Sequence, residues 1–576
     1  MFLKCSEIKS DKGKIYKNYK IVESVRKKDK VKHKILYPLG TLSDQKAEQI
    51  RKVLAVVSSP NDILIRLEDV IVEENINFLD IYIFRLLWKE WGLDKLFEKC
   101  PCIERLVINR CLSPRNKIGA MEWNRGCILD YIGEAKVQDN KFGVYTDLDR
   151  IAKMEEATQR HIGDKIRELG YDSLDAVIYD ITSTYFEETN CIIAFRGYSR
   201  DHRPDKLQIV IALAITPKGY PFYWKVYKGN TQDITTVESF VDDVKKTFGI
   251  EKCLLVFDRG MVSSDNIEYI EGAGYEYITA IDKDEIEGLG INDLPAFGEI
   301  DENNISKILN GYQQYDGCLQ YKEHIIGEKR YILGFDLGRK MEERTCRQEK
   351  IEKFKQSIKN INEDLITACR SRDLQKVQAK VNYLVKRYKF SRIVHTNYEE
   401  ITLERGKKDI KSYRMDISFN ENELKKAGRL DGVTCFYTNT ANDRVSAEGV
   451  IRQYRQKNRV EESFHEMKSH IKVRPVFVSR SVRVRAHVTI CVLACLLLNT
   501  LEERIAGMSD VSGMDGILDE LGKCKINVLT IKDNTMTHAV ITKMTELQKS
   551  ILRTLGYESI CTSKEIKNVL KKLKKM

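Results

Sequence analysis

The chain has 576 residues, 42% of them hydrophobic and 31% charged, with a formal net charge of +11 and a pI near 8.7. This composition excludes wholesale disorder, and the length leaves room for roughly three or four domains. The basic excess favours a polyanionic partner over an acidic one.

The opening "MFLKCSEIKSDKGK" turns polar at once and shows no secretory signal. Fifteen cysteines are scattered, many inside apolar runs, which reads as reduced cytosolic thiols. Cys100, Cys102 and Cys111 lack a second ligand pair at zinc-finger spacing. Residues 14–40 alternate, with Tyr16, Ile21, Val25, Val31 and Ile35 around the polar turn "RKKDK"; this predicts a basic β-hairpin. Its lysine-rich tip suits either a phosphate contact or plain solvation. Residues 41–165 read as helical, with a break at Gly92, and suggest a DNA-binding region without a clear helix-turn-helix.

The next stretch is the most regular. Strands are predicted at 175–187, 206–216 and 219–229, then a helix with Asp233 as N-cap and Gly249 past its end. A buried strand (252–260), a helix ("SSDNIEYIEGAG") and a strand ("YEYITAI") complete the order β-β-β-α-β-α-β, an α/β sheet. Residues 285–335 read as short strands and turns. Residues 340–393 carry two 3-4 spaced apolar runs separated by "RSRD", which predicts an antiparallel helical hairpin. A strand follows at 431–440. The longest apolar run, Val488–Leu498, is too short for a bilayer and reads as a buried helix; no membrane role is expected. The terminal "TSKEIKNVLKKLKKM" carries a capping-box pattern, Thr562 to Glu565.

Within "YRQKNRVEESFHEMK", one helix would place Tyr454, Lys457, Glu461 and Lys468 on a single stripe. Val460, Phe464, Met467 and Ile471 would form a separate apolar stripe facing the core. Taken alone, this is also the pattern of a surface helix with a Lys457/Glu461 pair. Two further acids stand out. Asp180 lies inside the first strand of the ordered region, and Asp258 closes "CLLVF" where the chain leaves the sheet. An acid in a buried strand is costly unless paired, hydrogen-bonded or metal-bound, and ligand sites in α/β sheets gather at strand ends. Simple alternatives exist: Asp258 capping "DRG", and Asp180 accepting from Thr182 or Thr184.

"YDITSTYFE", "GYSRDHRPDKLQIVIALAI", "KGNTQD" and "VFDRGMVSSDN" together resemble the DDE transposases of bacterial insertion sequences. The closing motif resembles the Tyr-Arg-Glu-Lys (YREK) signature of one group of them, Y-x2-R-x3-E-x6-K, with Lys457 at the arginine position. Lysine keeps the charge but loses the bidentate fork. The resemblance implies a ribonuclease H-like fold in which the first and fourth strands are neighbours. It implies Asp180, Asp258 and Glu461 as catalytic metal ligands, with Tyr454, Lys457 and Lys468 on the DNA backbone. Arg474 joins them at the start of a basic segment that continues through Arg480, Arg483 and Arg485. The implied cofactor is Mg²⁺, with Mn²⁺ as the alternative ion, since hard oxygen donors suit both. The implied partners are DNA, as terminal inverted repeats and target, and a second copy in a homodimer. The implied location is cytoplasmic, at the nucleoid.

The implied reaction is cleavage at element ends followed by attack of the freed 3′-OH on target DNA. A DNA-binding protein of transposase descent without catalysis, and a ribonuclease H-like nuclease, are the alternatives. The expected organisation starts with a basic β-hairpin and linker (1–60) and a helical DNA-binding region (61–165). A ribonuclease H-like domain follows in two stretches, 166–284 and 431–510, separated by an insertion (285–430). A basic C-terminal region (511–576) ends the chain.

Overall fold

The computed structural model describes the whole chain except residues 10–12, 14, 28–29, 60–64, 133–140, 292–293, 299, 301–302, 406–407, 509–512, 532–533 and 575–576. It divides into two compact units.

The first unit comprises Met1–Ile83, Asn124–Glu134 and Met508–Met576. The expected N-terminal hairpin is present as β2 (Ile15–Lys27) and β3 (Lys30–Thr41), and it gains a third antiparallel strand, β1 (Phe2–Lys9). Tip residues 28 and 29 lie outside the described residues. One face of this sheet is closed by the helix Asp44–Ser58, with Leu3, Tyr19, Ala47 and Leu54 as the small core. A second sheet joins β4 (Val70–Asn77) to the C-terminal hairpin Lys525–Ile531/Asn534–Ile541. β4 therefore interrupts what reads in sequence as an all-helical stretch.

The terminal helix begins one residue later than the sequence pattern suggests. Ser563, not Thr562, is its N-cap and accepts from Ile566 N–H. Glu565 instead accepts from Tyr82 Oη at 2.6 Å. A reciprocal capping box is found at Thr545/Gln548.

The second unit comprises Phe84–Trp123 and Ala135–Gly507. Its centre is a mixed sheet of nine strands among the described residues. In chain order these are β5 (Ala176–Tyr185), β6 (Gln208–Ile215), β7 (Pro221–Lys228), β8 (Leu254–Phe257) and β9 (Glu276–Ile281). They continue as β10 (Gln313–Gln314), β11 (Leu319–Ile326), β12 (Lys329–Asp336) and, after a long excursion, a strand at Val433–Thr438. Across the sheet the order runs β10, β11, β12, Val433–Thr438, β9, β8, β5, β6, β7. The contacts β5–β8 and β8–β9 are parallel and the others antiparallel. β6 is buried along its whole length, as expected for a strand with so continuous an apolar run as "QIVIALAI".

Between β12 and Val433 the chain builds a separate core. The two expected helices, Leu337–Ile366 and Leu374–Arg387, share buried Phe354, Ile358 and Val381 with a hairpin, Val394–Arg405/Lys408–Phe419, that the sequence pattern did not announce. β11 and β12 fall within the expected insertion, 285–430, yet extend the main sheet, because Ile332, Leu333 and Phe335 are apolar enough to be buried there.

The run Val488–Leu498 sits within a longer helix, Ser481–Ile505. By length and composition this helix could cross a membrane, but 89% of its most apolar window is buried inside the protein. Its middle, Val488–Leu498, is apolar all round and buried, as a core helix must be. Thr489 Oγ1 accepts from Trp224 Nε1 of β7 at 3.0 Å.

One buried acid exacts a cost. Glu155 opens the helix Glu155–Glu168, and its Oε2 is buried without a hydrogen-bond partner among the described residues. Burial pushes its carboxyl up to about 7, against the pull of Arg485 and Lys225. A raised folded-state value means that ionisation opposes folding, so stability falls as pH rises from about 4.5 through 7. Glu155→Gln is therefore expected to raise the thermal midpoint at pH 8, by at most about 3 kcal/mol of stability. That advantage should shrink between pH 7 and 4.5 and vanish below it; scanning both proteins across this range by differential calorimetry checks the slope.

Candidate active site

The site begins with strand register. β5 and β8 are parallel, and Tyr179 pairs with Phe257 as the last partners of that ladder. The next residues on the two strands are Asp180 and Asp258, so the two acids emerge side by side, about 4.8 Å apart by strand spacing. Period-2 alternation sends Tyr179 to one face, where it stacks on Phe240 of the helix Val237–Phe248 with centroids 4.0 Å apart. Asp180 and Thr182 then share the other face. Burial pushes the Asp180 carboxyl up to about 7, opposed by Lys457.

That second face is covered by the segment read as one helix in sequence. It is two helices, Ala447–Arg455 and Asn458–Ser469. Between them the backbone tightens to three-residue hydrogen bonds: Lys457 N–H to Tyr454 O, Arg459 N–H to Gln456 O, and Val460 N–H to Lys457 O. Ser446 caps the first helix through Gly449 N–H. The apolar stripe Val460, Phe464, Met467 and Ile471 is buried as expected. Its burial turns Lys457, Glu461 and Lys468 toward the strand ends.

Lys457 lies at the centre. Its Nζ is 3.0 Å from Asp258 Oδ1 and 2.8 Å from Glu461 Oε1. Burial works against its charge, but Glu461, Asp258 and Asp180 outweigh it and hold the ammonium above the usual lysine range. Tyr454 Oη donates to the same Asp258 oxygen at 3.5 Å, and burial pushes its phenol up to about 12. Asp258 and Glu461 thus share one lysine ammonium, and Asp180 stands beside Asp258 by strand register. Among the described residues, no three Asp, Glu, His or Cys groups form a ready metal cluster.

A second charged cluster adjoins the first. Lys468 Nζ donates to Thr182 Oγ1 at 2.7 Å and to Asp201 Oδ1 at 3.0 Å. Arg474 reaches the same Asp201 oxygen at 2.5 Å, with its guanidinium over the Tyr185 ring. Asp201 is only 5% exposed while it balances both cations.

The loop carrying Asp201 is pinned to the sheet edge. The Gln208 side-chain amide donates to Tyr198 O and Gly229 O, both at 2.9 Å. Gly229 and Gly197 permit this approach. An added Cβ would stand 1.9 Å from Gln208 O at the first and 2.3 Å from Gly229 O at the second.

Asp233 is not the helix N-cap the sequence suggested. It opens a 3₁₀ turn, Asp233–Thr236, and pairs with Arg200. It also lies on the same side of Gly260 as Asp258: a Cβ there would be 3.9 Å from an oxygen of each. Asp201 and Asp233 are therefore site residues that sequence reading passed over; their only signal was membership in the quoted "GYSRDHRPDK" and "KGNTQD" segments. In the basic segment beyond Arg474, Arg483 is held bidentately by Asp149 at 2.8 and 2.9 Å, whereas Arg480 and Arg485 are exposed.

The family model described as "Transposase DDE domain" matches residues 172–498. A second, described as "IS1634 family transposase, N-terminal domain", matches residues 3–60. No curated protein matches the chain. Among solved structures, the piggyBac transposase synaptic complex with hairpin DNA shares 9% identity over 85% of this chain and 76% of its own, at a TM-score of 0.31. The Mos1 transposase paired-end complex with left transposon end shares 10% over 41% of this chain and 67% of its own, at 0.14. With TM-scores this low, neither likeness adds weight to the two family models.

Asp201→Ala would strand two largely buried cations. Removing one partner of such a pair costs about 3 kcal/mol or more, so the thermal midpoint should fall clearly. Asp205→Ala, which removes an exposed partner of Arg203, should leave it unchanged.

Proposed function

Because the chain belongs to the family of transposases with a DDE domain, DNA-cleaving and strand-transferring enzymes of bacterial insertion sequences, we propose that Asp180, Asp258 and Glu461 are its catalytic acids. The observation that carries this assignment is the convergence of Asp258 and Glu461 on one ammonium beside Asp180. The sheet supports a ribonuclease H-like fold: three antiparallel strands come first, and the fourth, β8, returns parallel beside the first.

The donors fit Mg²⁺. They are all carboxylate oxygens, and the pair around Lys457 Nζ already holds a cation. Bound among them, Mg²⁺ ions would activate the attacking oxygen and stabilise the leaving one. The chain's own residues supply the rest. Lys457 neutralises the acids and keeps them converged; its flexible stem lets the ammonium turn to a DNA phosphate. Lys468 and Arg474, balanced by Asp201 in the protein alone, supply positive charge beside the same strand end. Tyr454 orients Asp258 and lends its hydroxyl to the DNA backbone. The partner is DNA, as element ends and target, and joining two ends calls for a homodimer.

The test uses purified protein, labelled element ends and target DNA, with Mg²⁺ or EDTA. Strand-transfer product supports the reading; Mg²⁺-dependent cleavage alone would make the protein a nuclease, and a gel shift alone a binding protein. Asp180→Asn should abolish cleavage and transfer while end binding survives, and persistent cleavage would overturn the site assignment. For Lys457→Met, which removes the internal cation, Mn²⁺ titrations followed by electron paramagnetic resonance should show roughly tenfold or greater tightening without DNA. Equal or weaker Mn²⁺ binding would mean that the lysine does not hold the metal position.

A further inference from the structure

The first forty-one residues carry twelve Lys and Arg against four Asp and Glu, a net +8 of the chain's +11. The shape of this segment is as telling as its charge. The ladder between β1 and β2 begins at Phe2↔Val22. The β2–β3 ladder runs on past it through Glu23↔Lys34, Ser24↔His33, Val25↔Lys32, Arg26↔Val31 and Lys27↔Lys30. Residues 23–27 and 30–34 therefore form a two-stranded arm without a third strand among the described residues.

Glu23, Ser24, Arg26 and residues 30–34 are exposed, so beyond its root the described part of the arm is open on both faces. An isolated hairpin is marginal in water, and this one concentrates six basic residues against two acids in residues 23–34. Among the described residues, Arg26, Lys30, Lys32 and Lys34 have no ion pair, while Lys17 at the other end of β2 is paired with Asp44. At its root the arm is fixed by an edge-to-face contact of His33 with Phe2, centroids 5.3 Å apart.

Cross-strand register sorts the two faces. One presents Ser24, Arg26 and His33, all able to hydrogen-bond, with the exposed Val31 among them. The other presents Lys30, Lys32 and Lys34, with Glu23 and Val25 beside them. Five residue pairs extend about 17 Å, and the strands lie about 4.8 Å apart. The major groove of B-DNA is about 12 Å wide and admits such a ribbon.

We propose that the 23–34 arm is a duplex-DNA-binding ribbon. It enters the major groove with the Ser24/Arg26/His33 face on base edges, and Lys30, Lys32 and Lys34 reach the flanking phosphates. This goes beyond the chemistry proposed above and needs no metal.

The test measures anisotropy of the full-length protein on a labelled duplex carrying the terminus of the encoding element and on a duplex of scrambled sequence. A Lys30→Ala/Lys32→Ala/Lys34→Ala variant should weaken binding to both and lower the log–log salt slope by about 2 to 3. Arg26→Ala should lose roughly tenfold of the preference for the terminus over the scrambled duplex and change the slope by no more than about 1. Because the arm is exposed, both variants should keep the wild-type thermal midpoint. An unchanged slope in the triple variant overturns the inference, as does a loss seen with heparin but not with duplex, which would point to another polyanion. Dimethyl sulfate protection of guanine N7 by the wild type, absent in the variants, places the arm in the major groove; protection surviving in both variants overturns it. Wild-type cleavage with Mg²⁺ is run in parallel. Its failure would count against the enzymatic reading and leave the arm's binding result standing, whereas normal cleavage with arm-independent binding would sink the arm alone.

Discussion

The second unit depends on a repulsion that it has to contain. Parallel pairing of β5 and β8 brings Asp180 and Asp258 out of the sheet together, and Glu461 is added from a helix above. Carboxylates gathered at the end of one strand pair, with Asp180 pushed up to about 7 by burial, repel one another. Lys457 sets its ammonium between Asp258 and Glu461 and offsets that repulsion within the protein itself. The tight turn at 456–459 gains its meaning here. In an uninterrupted helix, Lys457 would be one more position on a stripe. With two helices meeting at that residue, its side chain starts from the junction and reaches Asp258 and Glu461 at 3.0 and 2.8 Å.

The same logic governs the neighbouring cluster with the signs reversed. Lys468 and Arg474 crowd two positive charges beside Thr182 and Tyr185, and Asp201, nearly buried, keeps them there. Asp201 can do this because its loop lies flush against the sheet, an approach open only to glycine at 197 and 229. Beneath both clusters the apolar stripe from Val460 to Ile471 is buried, and the helix Ser481–Ile505, apolar from Val488 to Leu498, fills the interior next to it. The polar geometry at the strand ends is thus set by apolar packing a few residues away.

Much of this is legible in the amino-acid order alone. The alternation in "DAVIYDITSTYFE", the continuous apolarity of "QIVIALAI" and the glycine after Phe248 each announce their element through a strong local preference, and the folded chain has β5, β6 and a helix ending at Gly249 with φ of +63°. The 3-4 spacing of Val460, Phe464 and Met467 also identifies a buried face. What cannot be read lacks a local signature. The junction at Gln456–Lys457 contains neither Gly nor Pro, and a switch from four-residue to three-residue hydrogen bonding leaves the side-chain pattern almost unchanged. Asp233 sits where an N-cap belongs, and only its distant partner Arg200 makes it something else. Thr562 and Ser563 are both good caps, and the choice between them rests on how the helix docks. The pairing of β4 with a strand at the far end of the chain, Asn75 opposite Asn527, is a long-range fact that no window of sequence contains.

The distribution of charge separates two jobs that the total of +11 conceals. Around the carboxylates, cations and anions are matched within the protein: Lys457 with Asp258 and Glu461, Lys468 and Arg474 with Asp201, Arg200 with Asp233. A phosphate arriving there must compete with an existing partner. Binding at the site is then an exchange of ion pairs and adds little to salt-dependent affinity, though it discriminates finely by geometry. Arg26, Lys30, Lys32 and Lys34 in the N-terminal arm have no such internal partners among the described residues and face water. Neutralising phosphates with them releases counterions from the nucleic acid at no cost in broken protein contacts. A chain that must first hold DNA and then act on one bond of it gains from keeping these functions on different residues. On the proposed assignment, affinity is set by the unpaired lysines, while the paired ones hold the carboxylates in place until a substrate displaces their partners.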